Sequence, residues 1–213
     1  MKKIACIAIA AMIAAAPVYT DAASNKTTYT EKEMKRFEKN AEKQAKSTAK
    51  RFKKEGWVLN GTGDVEMKVM NHMLRTSDFG GDGYEVIGNG QKAAILSRST
   101  ATAMMDAALK YSRNCGMALK EKIVGEGNLM TDEERDTFID AYEARVAQEI
   151  KGELRPTLEL YRKAKDGSFE TMVLYVVDYE GANQAQQRAL KAELERNRLT
   201  HEVAKQISEF VNE

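Results

Sequence analysis

Apolar residues recur every three or four positions along much of the chain, the spacing that buries one face of a helix. This pattern predicts helices over 31–54, 64–75, 91–124, 131–150 and 182–211. The first and fourth of these begin with Thr-x-x-Glu, at Thr30 and Thr131. In such a capping box, the Thr hydroxyl and the Glu carboxylate satisfy free backbone amides, so it indicates where each helix begins.

Short runs rich in β-branched and aromatic residues predict strands over 57–59, 84–88, 154–163 and 169–178. The last two strands flank Asp166-Gly167, a dipeptide that is a strong hairpin signal in a five-residue connection. The second arm is almost continuously apolar over 172–177, so we expect an inner strand with both faces covered. Pro156 suits an edge or the entry of the first arm. The order of elements predicts an α+β fold, in which an antiparallel sheet including this C-terminal-half hairpin packs against helices, with long helices at both ends.

The first 22 residues have the organisation of a secretory signal peptide. Two lysines precede an uncharged apolar run over 4–16, and Thr20-Asp21-Ala22 places small residues at the cleavage positions. The run is shorter than the ~20 residues of a membrane-spanning helix. A lipoprotein would need a Cys at the end of the run, whereas Cys6 lies near its start. We therefore expect a protein exported to the periplasm or secreted, with no transmembrane helix once the leader is removed.

Composition narrows the class of protein further. The 213 residues include 33 Lys or Arg and 32 Asp or Glu, a net charge of +1, so no overall field favours nucleic acid as a partner. Two cysteines exclude a disulfide scaffold and a four-cysteine zinc site. After export only Cys115 would remain, and it falls on the apolar stripe of the 91–124 helix. We expect Cys115 to be buried rather than to act as an exposed reactive thiol or a dimer link.

The charge is distributed unevenly, because the 31–54 helix carries ten basic residues against four acidic ones. Three interpretations of this helix remain open: a solvated face on a packed helix, a helix–helix contact through its apolar stripe, or adhesion to an anionic surface such as lipid or lipopolysaccharide headgroups. In the last case the candidate surface-binding residues are Lys39, Lys43, Lys46, Lys50 and Arg51.

No residue pattern points to a catalytic, cofactor or metal site. His72 and His201 lie on separate predicted helices without partners at a ligand spacing, and we expect surface or half-buried packing residues. The segment 88–92 lies between a strand and a helix like a phosphate loop but lacks its Gly and Lys spacing. The segment 78–83 resembles part of a calcium loop but lacks two of its ligands. We expect no enzyme activity, although a site assembled from residues distant in sequence is an alternative.

The order of several short motifs over about 53–182 resembles the LPP-twenty-like family of exported Gram-negative envelope proteins, which comprises small lipoproteins and soluble relatives. The motifs are Lys54-Glu55-Gly56-Trp57, Gly88-Asn89-Gly90, an Ala-spaced helix (Ala93, Ala94, Ala101, Ala103, Ala107 and Ala108), Ile150-x-Gly152-x-Leu154, Tyr161-Arg162, Asp166-Gly167 and 172–178. The resemblance implies an α+β domain with an antiparallel sheet, and it brings no catalytic residues. The missing lipobox Cys departs from the lipidated members.

These observations divide the chain into a signal peptide (1–22), a flexible leader (23–30), a basic helix (31–55) and an α+β domain (56–213) that ends in a helix over 182–211. We expect an exported cell-envelope protein with a structural or protein-interaction role, which binds an envelope partner or self-associates. The alternative is a module that binds anionic surfaces or ligands through the 31–54 helix, in peripheral contact with a membrane.

Overall fold

The computed structural model describes residues 30–77, 80–125, 130–197 and 201–212. Within these residues it contains six helices and a four-stranded antiparallel sheet, so the predicted α+β fold is confirmed. The elements in chain order are α1 (Glu31–Lys54), β1 (Val58–Leu59), α2 (Val65–Arg75), β2 (Gly83–Asn89), α3 (Leu96–Gly125), α4 (Asp132–Glu149), a 3-10 turn (Ile150–Gly152), β3 (Arg155–Lys163), β4 (Phe169–Asp178), α5 (Tyr179–Asn197) and α6 (His201–Asn212). The predicted signal peptide, its Cys6 and the flexible leader up to residue 29 lie outside the described residues.

The sheet has the strand order β1-β3-β4-β2, which places β4 between β3 and β2. The hairpin between β3 and β4 turns at Gly167, whose φ of 85° suits a residue without a side chain, and it is closed by a hydrogen bond from Ala164 N to Ser168 O (2.8 Å). Seven consecutive residues of β4, Thr171–Val177, are buried, which confirms the prediction of a strand covered on both faces. Pro156 lies beside a register shift in β3, beyond the two residues that pair with β1, so its missing N–H removes no bond to β1.

The helices cover the two faces of the sheet as separate layers. On one face, α1 and α2 contribute Ala45, Phe52 and Val69 to a core with Leu158 and Leu174. On the other face, α3, α4, α5 and α6 pack over the odd-numbered residues of β4, namely Val173, Tyr175 and Val177. Alternate residues of β4 therefore serve two cores, which explains its uninterrupted apolar sequence. Cys115 belongs to the second core and is 2% exposed, so its predicted burial is confirmed.

At the corner Gly88-Asn89-Gly90, α3 lies very close to the sheet. A Cβ atom at Gly88 would collide with the carbonyl oxygen of Ala103, and one at Gly90 would collide with Ser99 and Thr171. Small residues on the facing side of α3 and glycines in the strand thus allow the helix backbone to lie directly on β2. The Ala-rich pattern of α3 reflects this close packing.

Two predicted helix boundaries are wrong. The helix expected over 91–124 starts only at Leu96, because Ala93 instead exchanges two backbone hydrogen bonds with Phe169 (2.7 and 3.1 Å) and extends the sheet. The single helix expected over 182–211 corresponds to two helices, α5 and α6. Helix α5 begins at Tyr179, before Gly181, where the Asp178 carboxylate accepts a hydrogen bond from the Gly181 amide (2.6 Å).

Candidate functional site

Helix α1 has a well-defined start and one buried face. The Thr30 hydroxyl accepts from Glu33 N (3.3 Å), and the Glu33 carboxylate accepts from Thr30 N (2.8 Å), so the predicted capping box is formed. The Thr30 hydroxyl also donates to the Glu33 carboxylate (2.7 Å), and this bond, together with the one from Thr30 N, holds the pKa of Glu33 below its ordinary value. The buried residues of α1 are Ala41, Ala45 and Phe52. None of the first ten residues of the helix is fully buried, and the buried positions begin at Ala41.

The basic residues of α1 occupy the face opposite to the buried one. Each buried residue follows a lysine by two positions (Lys39 and Ala41, Lys43 and Ala45, Lys50 and Phe52), which is about 200° around a helix. Nine basic residues share this outward face, and they are Lys32, Lys35, Arg36, Lys39, Lys43, Lys46, Lys50, Lys53 and Lys54. All nine are exposed. At 1.5 Å per residue they extend over about 33 Å. We call this surface the basic face of α1.

Four lysines of this face are not paired with neighbouring carboxylates. Lys35 pairs with Glu31 (2.5 Å), whereas Lys39, Lys43, Lys46 and Lys50 form no ion pair with any residue that the structure describes. A shallow depression of about 400 Å³ near the start of α1 is lined by Glu31, Lys32, Lys35, Arg36 and Lys39, four of which are basic. The face therefore carries a line of uncompensated positive charge that is open to solvent.

Of the five residues predicted for a surface site, four lie together on the basic face and Arg51 does not. Arg51 follows Lys50 by one position, about 100° around the helix. It is half-buried, and its guanidinium carbon lies 5.7 Å from the centre of the Phe52 ring. Helical spacing alone would have separated Arg51 from the others and added Lys32, Lys35, Arg36, Lys53 and Lys54.

The prediction that His72 is a surface or half-buried packing residue is wrong, because its side chain is 2% exposed and bonded through both ring nitrogens. Nδ1 lies 2.6 Å from the Thr157 hydroxyl on β3, and Nε2 lies 2.7 Å from the Glu85 carboxylate on β2. The Thr157 hydroxyl donates to Leu174 O (2.9 Å), so its oxygen accepts from His72. Both ring nitrogens thus face oxygen atoms, and these two contacts fix the orientation of the ring.

The cluster contains the same order of groups as a hydroxyl–imidazole–carboxylate catalytic triad, namely Thr157, His72 and Glu85. Its geometry does not suit the chemistry of such a triad. A nucleophilic hydroxyl must give its proton to the imidazole, whereas Thr157 directs its hydrogen to the main chain of β4. His72 is also enclosed between α2 and the sheet. The cluster ties α2 to two strands and is a structural link.

The other segments that resembled ligand sites are occupied by contacts within the protein. The amides of Asn89, Gly90 and Gln91 donate to Asp106, Thr171 and Thr102, respectively, so they do not form a phosphate cradle. In the segment that resembles a calcium loop, the Asp82 carboxylate is bound by the Arg75 guanidinium (3.1–3.3 Å), and Asp78 lies outside the described residues. The side chain of His201 is also outside them.

Two features of the described residues bear on metal binding and on membrane insertion. Among the described residues, no three His, Cys, Asp or Glu side chains are grouped so as to hold a metal ion. In the same part of the chain, every helix is too short or too polar to cross a bilayer.

Comparison with protein-family models, curated proteins and solved structures finds no match to this chain. The resemblance to the LPP-twenty-like family therefore stays a prediction.

Proposed function

We propose that the protein is exported to the cell envelope and acts there by binding rather than catalysis, with the basic face of α1 as its contact with an anionic surface. The observation that carries this proposal is the alignment of nine exposed basic residues on one helix face, opposite the residues that hold the helix to the protein. The segment 31–54 has a net charge of +6, whereas the whole chain has +1. The remainder is therefore acidic, so the excess of positive charge is concentrated on α1, where it can meet a phosphate-bearing surface.

The chemistry of the face favours adhesion without insertion. None of the large apolar side chains that are exposed in the described residues lies on α1. A helix that inserts among lipid chains needs Leu, Phe or Trp on its outer face, and here that face carries lysines. Each basic residue near an anionic membrane contributes about 1 kcal/mol, so several acting together give measurable binding. The occupant we propose is the headgroup layer of phospholipid or lipopolysaccharide.

Vesicle binding tests this proposal. We expect the protein to co-sediment with vesicles that contain phosphatidylglycerol or lipopolysaccharide, and not with pure phosphatidylcholine. Binding should fall steeply as salt rises above 0.1 M, where the screening length is about 10 Å. Comparing the two anionic vesicles, at equal surface charge, identifies which headgroup is preferred.

Charge reversal identifies the face responsible. The triple variant Lys43→Glu, Lys46→Glu, Lys50→Glu should weaken binding by more than about a hundredfold. A matched control reverses three exposed lysines elsewhere, Lys151, Lys165 and Lys191, with the same change in net charge. If the two triple variants lose vesicle binding equally, or if binding does not depend on salt concentration, then α1 is not the contact.

Export is tested separately. The N-terminus of the protein recovered from a Gram-negative periplasm or culture medium should be Ala23, since cleavage is expected after Ala22. Recovery of the processed or unprocessed chain only from the cytoplasm would contradict an envelope role, whatever the vesicle result.

A further inference from the structure

The exposed side of α3 carries an apolar ridge that the packing of the fold does not use. Four large apolar side chains of this helix are about half exposed, and they are Met105 (54%), Leu109 (48%), Met117 (55%) and Val124 (55%). The opposite side of α3 contributes Ala107, Tyr111 and Cys115 to the core. Contiguous exposed apolar residues of this kind mark interaction surfaces.

The ridge has an even spacing. Met105, Leu109, Arg113 and Met117 follow one another at intervals of four residues, so they line one side of the helix over about 18 Å. These four positions are evenly spaced, so the spacing is the same when the helix is read in the opposite direction. Two antiparallel copies can therefore interdigitate their ridges, as helices do in knobs-into-holes packing.

Two charged side chains beside the apolar residues of the ridge, Arg113 and Asp106, can form further hydrogen bonds or ion pairs. Arg113 is exposed and forms no hydrogen bond or ion pair with the described residues, although its charge acts on Glu143 of α4. The Asp106 carboxylate receives Asn89 N (2.7 Å) and Lys110 Nζ (2.6 Å), both at Oδ2. Its Oδ1 has no partner in the described part of the chain. Asp106 and Arg113 are seven residues apart on one helix, about 10 Å along its axis, too far to pair within one molecule.

We propose that the protein forms a two-fold symmetric dimer in which α3 packs against α3 of a second copy, antiparallel and centred at residue 111. This arrangement places Met105 beside Met117 of the second copy and Leu109 beside the aliphatic part of Arg113. The guanidinium of Arg113 then lies about one turn from Asp106 of the second copy, within reach of Oδ1. A parallel pair in register would instead set Arg113 against Arg113, and its repulsion disfavours that alternative.

The dimer goes beyond the anionic-surface contact and is independent of it. The ridge is on α3, which covers the opposite face of the sheet from α1. A dimer would carry two basic faces, so an anionic surface that both faces can reach would be bound by both. The variants that disrupt the dimer change no residue of the basic face of α1, and the variants that disrupt the basic face change no residue of α3.

Sedimentation of the purified full chain over a range of concentrations tests the association. We expect a monomer–dimer equilibrium, and we expect Met117→Glu to raise the dimer dissociation constant by at least about tenfold. Met67→Glu is the matched control, because Met67 is 64% exposed on α2, away from the ridge. Circular dichroism verifies that each variant is folded. A protein that stays monomeric at every concentration, or a dimer equally sensitive to both substitutions, overturns the proposal and leaves the ridge to another protein or to solvent.

Cross-linking tests the antiparallel register. In a chain with Cys6→Ser, the single substitutions Met105→Cys and Met117→Cys should each give little product with a short bifunctional maleimide. An equimolar mixture of the two proteins should give a cross-linked heterodimer. The parent with Cys115 alone should give none, because that thiol is 2% exposed. Equal cross-linking of each single variant with itself would indicate parallel helices and contradict the proposed interface.

Vesicle binding separates this proposal from the proposed function. Met117→Glu should leave the salt-sensitive binding of the monomer in place, and the Lys43, Lys46, Lys50 reversal should leave the dimer in place. Absence of either property in the parent chain would therefore overturn only the corresponding proposal.

Discussion

The imidazole of His72 on α2 lies 2.7 Å from the carboxylate of Glu85 on β2, across the boundary between a helical layer and the sheet. The two residues differ sharply in environment, since the His72 side chain is 2% exposed and that of Glu85 is 42% exposed. Together with Thr157 they place three polar groups at the edge of an apolar core. This link holds α2, and through its packing α1, against the sheet.

Replacement of His72 should therefore destabilise the protein strongly. We expect His72→Ala to lower the free energy of unfolding by about 2–4 kcal/mol, because it opens a cavity and leaves the Thr157 oxygen without its donor. Urea unfolding measures the loss. Asn71→Ala, at the exposed neighbouring position, should change stability by less than about 0.5 kcal/mol.

A double-mutant cycle with Thr157→Val isolates the hydrogen bond itself. We expect a coupling energy of about 1 kcal/mol between His72→Ala and Thr157→Val. Additive effects would mean that His72 contributes only through its volume.

This cluster could not be predicted from the sequence, whereas the basic face of α1 could. His72 is 13 residues from Glu85 and 85 from Thr157, and only the fold brings three different elements together. The lysines of α1 lie on one continuous helix, so their spacing and composition already place them on one surface. Arg51 was grouped with these lysines by charge alone, whereas the rotation of the helix places it about 100° from Lys50.

Substitution of Gly88 tests the close approach of α3 to the sheet. An added Cβ would meet the backbone oxygen of Ala103, which cannot move without shifting the helix. We expect Gly88→Ala to cost about 3 kcal/mol or more in unfolding free energy.

Gly152→Ala is the matched control for Gly88→Ala. No atom lies within 4 Å of a Cβ built at Gly152, and its φ is not positive. A loss of stability at Gly88 no greater than that at Gly152 would show that α3 does not rest on β2 as described.

Elements with strong local signals were predicted correctly, and the errors arise where a distant segment competes. Two capping boxes, one Asp-Gly turn and one uninterrupted apolar run define α1, α4 and the hairpin. The start of α3 was misplaced because Ala93 pairs with Phe169, 76 positions later, and sheet pairing replaces the helical hydrogen bonds of that segment. Helical periodicity carries no information about such a partner.

The burial of Cys115 predicts a thiol that is protected in the folded protein. In the chain with Cys6→Ser, we expect labelling by a thiol reagent to be slow in buffer and fast in urea. Asn71→Cys in the same chain provides an exposed thiol as the control. Labelling of Cys115 at the rate of the Cys introduced at position 71 would contradict its place in the core.

The capping box of α4 predicts a pH dependence with a definite sign. Hydrogen bonds from the backbone and side chain of Thr131 hold the pKa of Glu134 below its ordinary value of 4.5. A carboxyl group whose pKa is lower in the folded than in the unfolded protein stabilises the fold above the unfolded value. That contribution is lost as the pH falls through the folded pKa.

The variant Glu134→Gln tests this dependence. It keeps the shape and a hydrogen-bonding oxygen but removes the charge, so it should be less stable than the parent at pH 7. The difference should narrow below pH 4.5, as measured by thermal unfolding across the range. Glu133→Gln changes a carboxylate in the same turn that is outside the capping box and should give a smaller pH-dependent difference. A gap between parent and Glu134→Gln that stays constant from pH 7 to below the folded pKa would mean that the charge of Glu134 does not act through the cap.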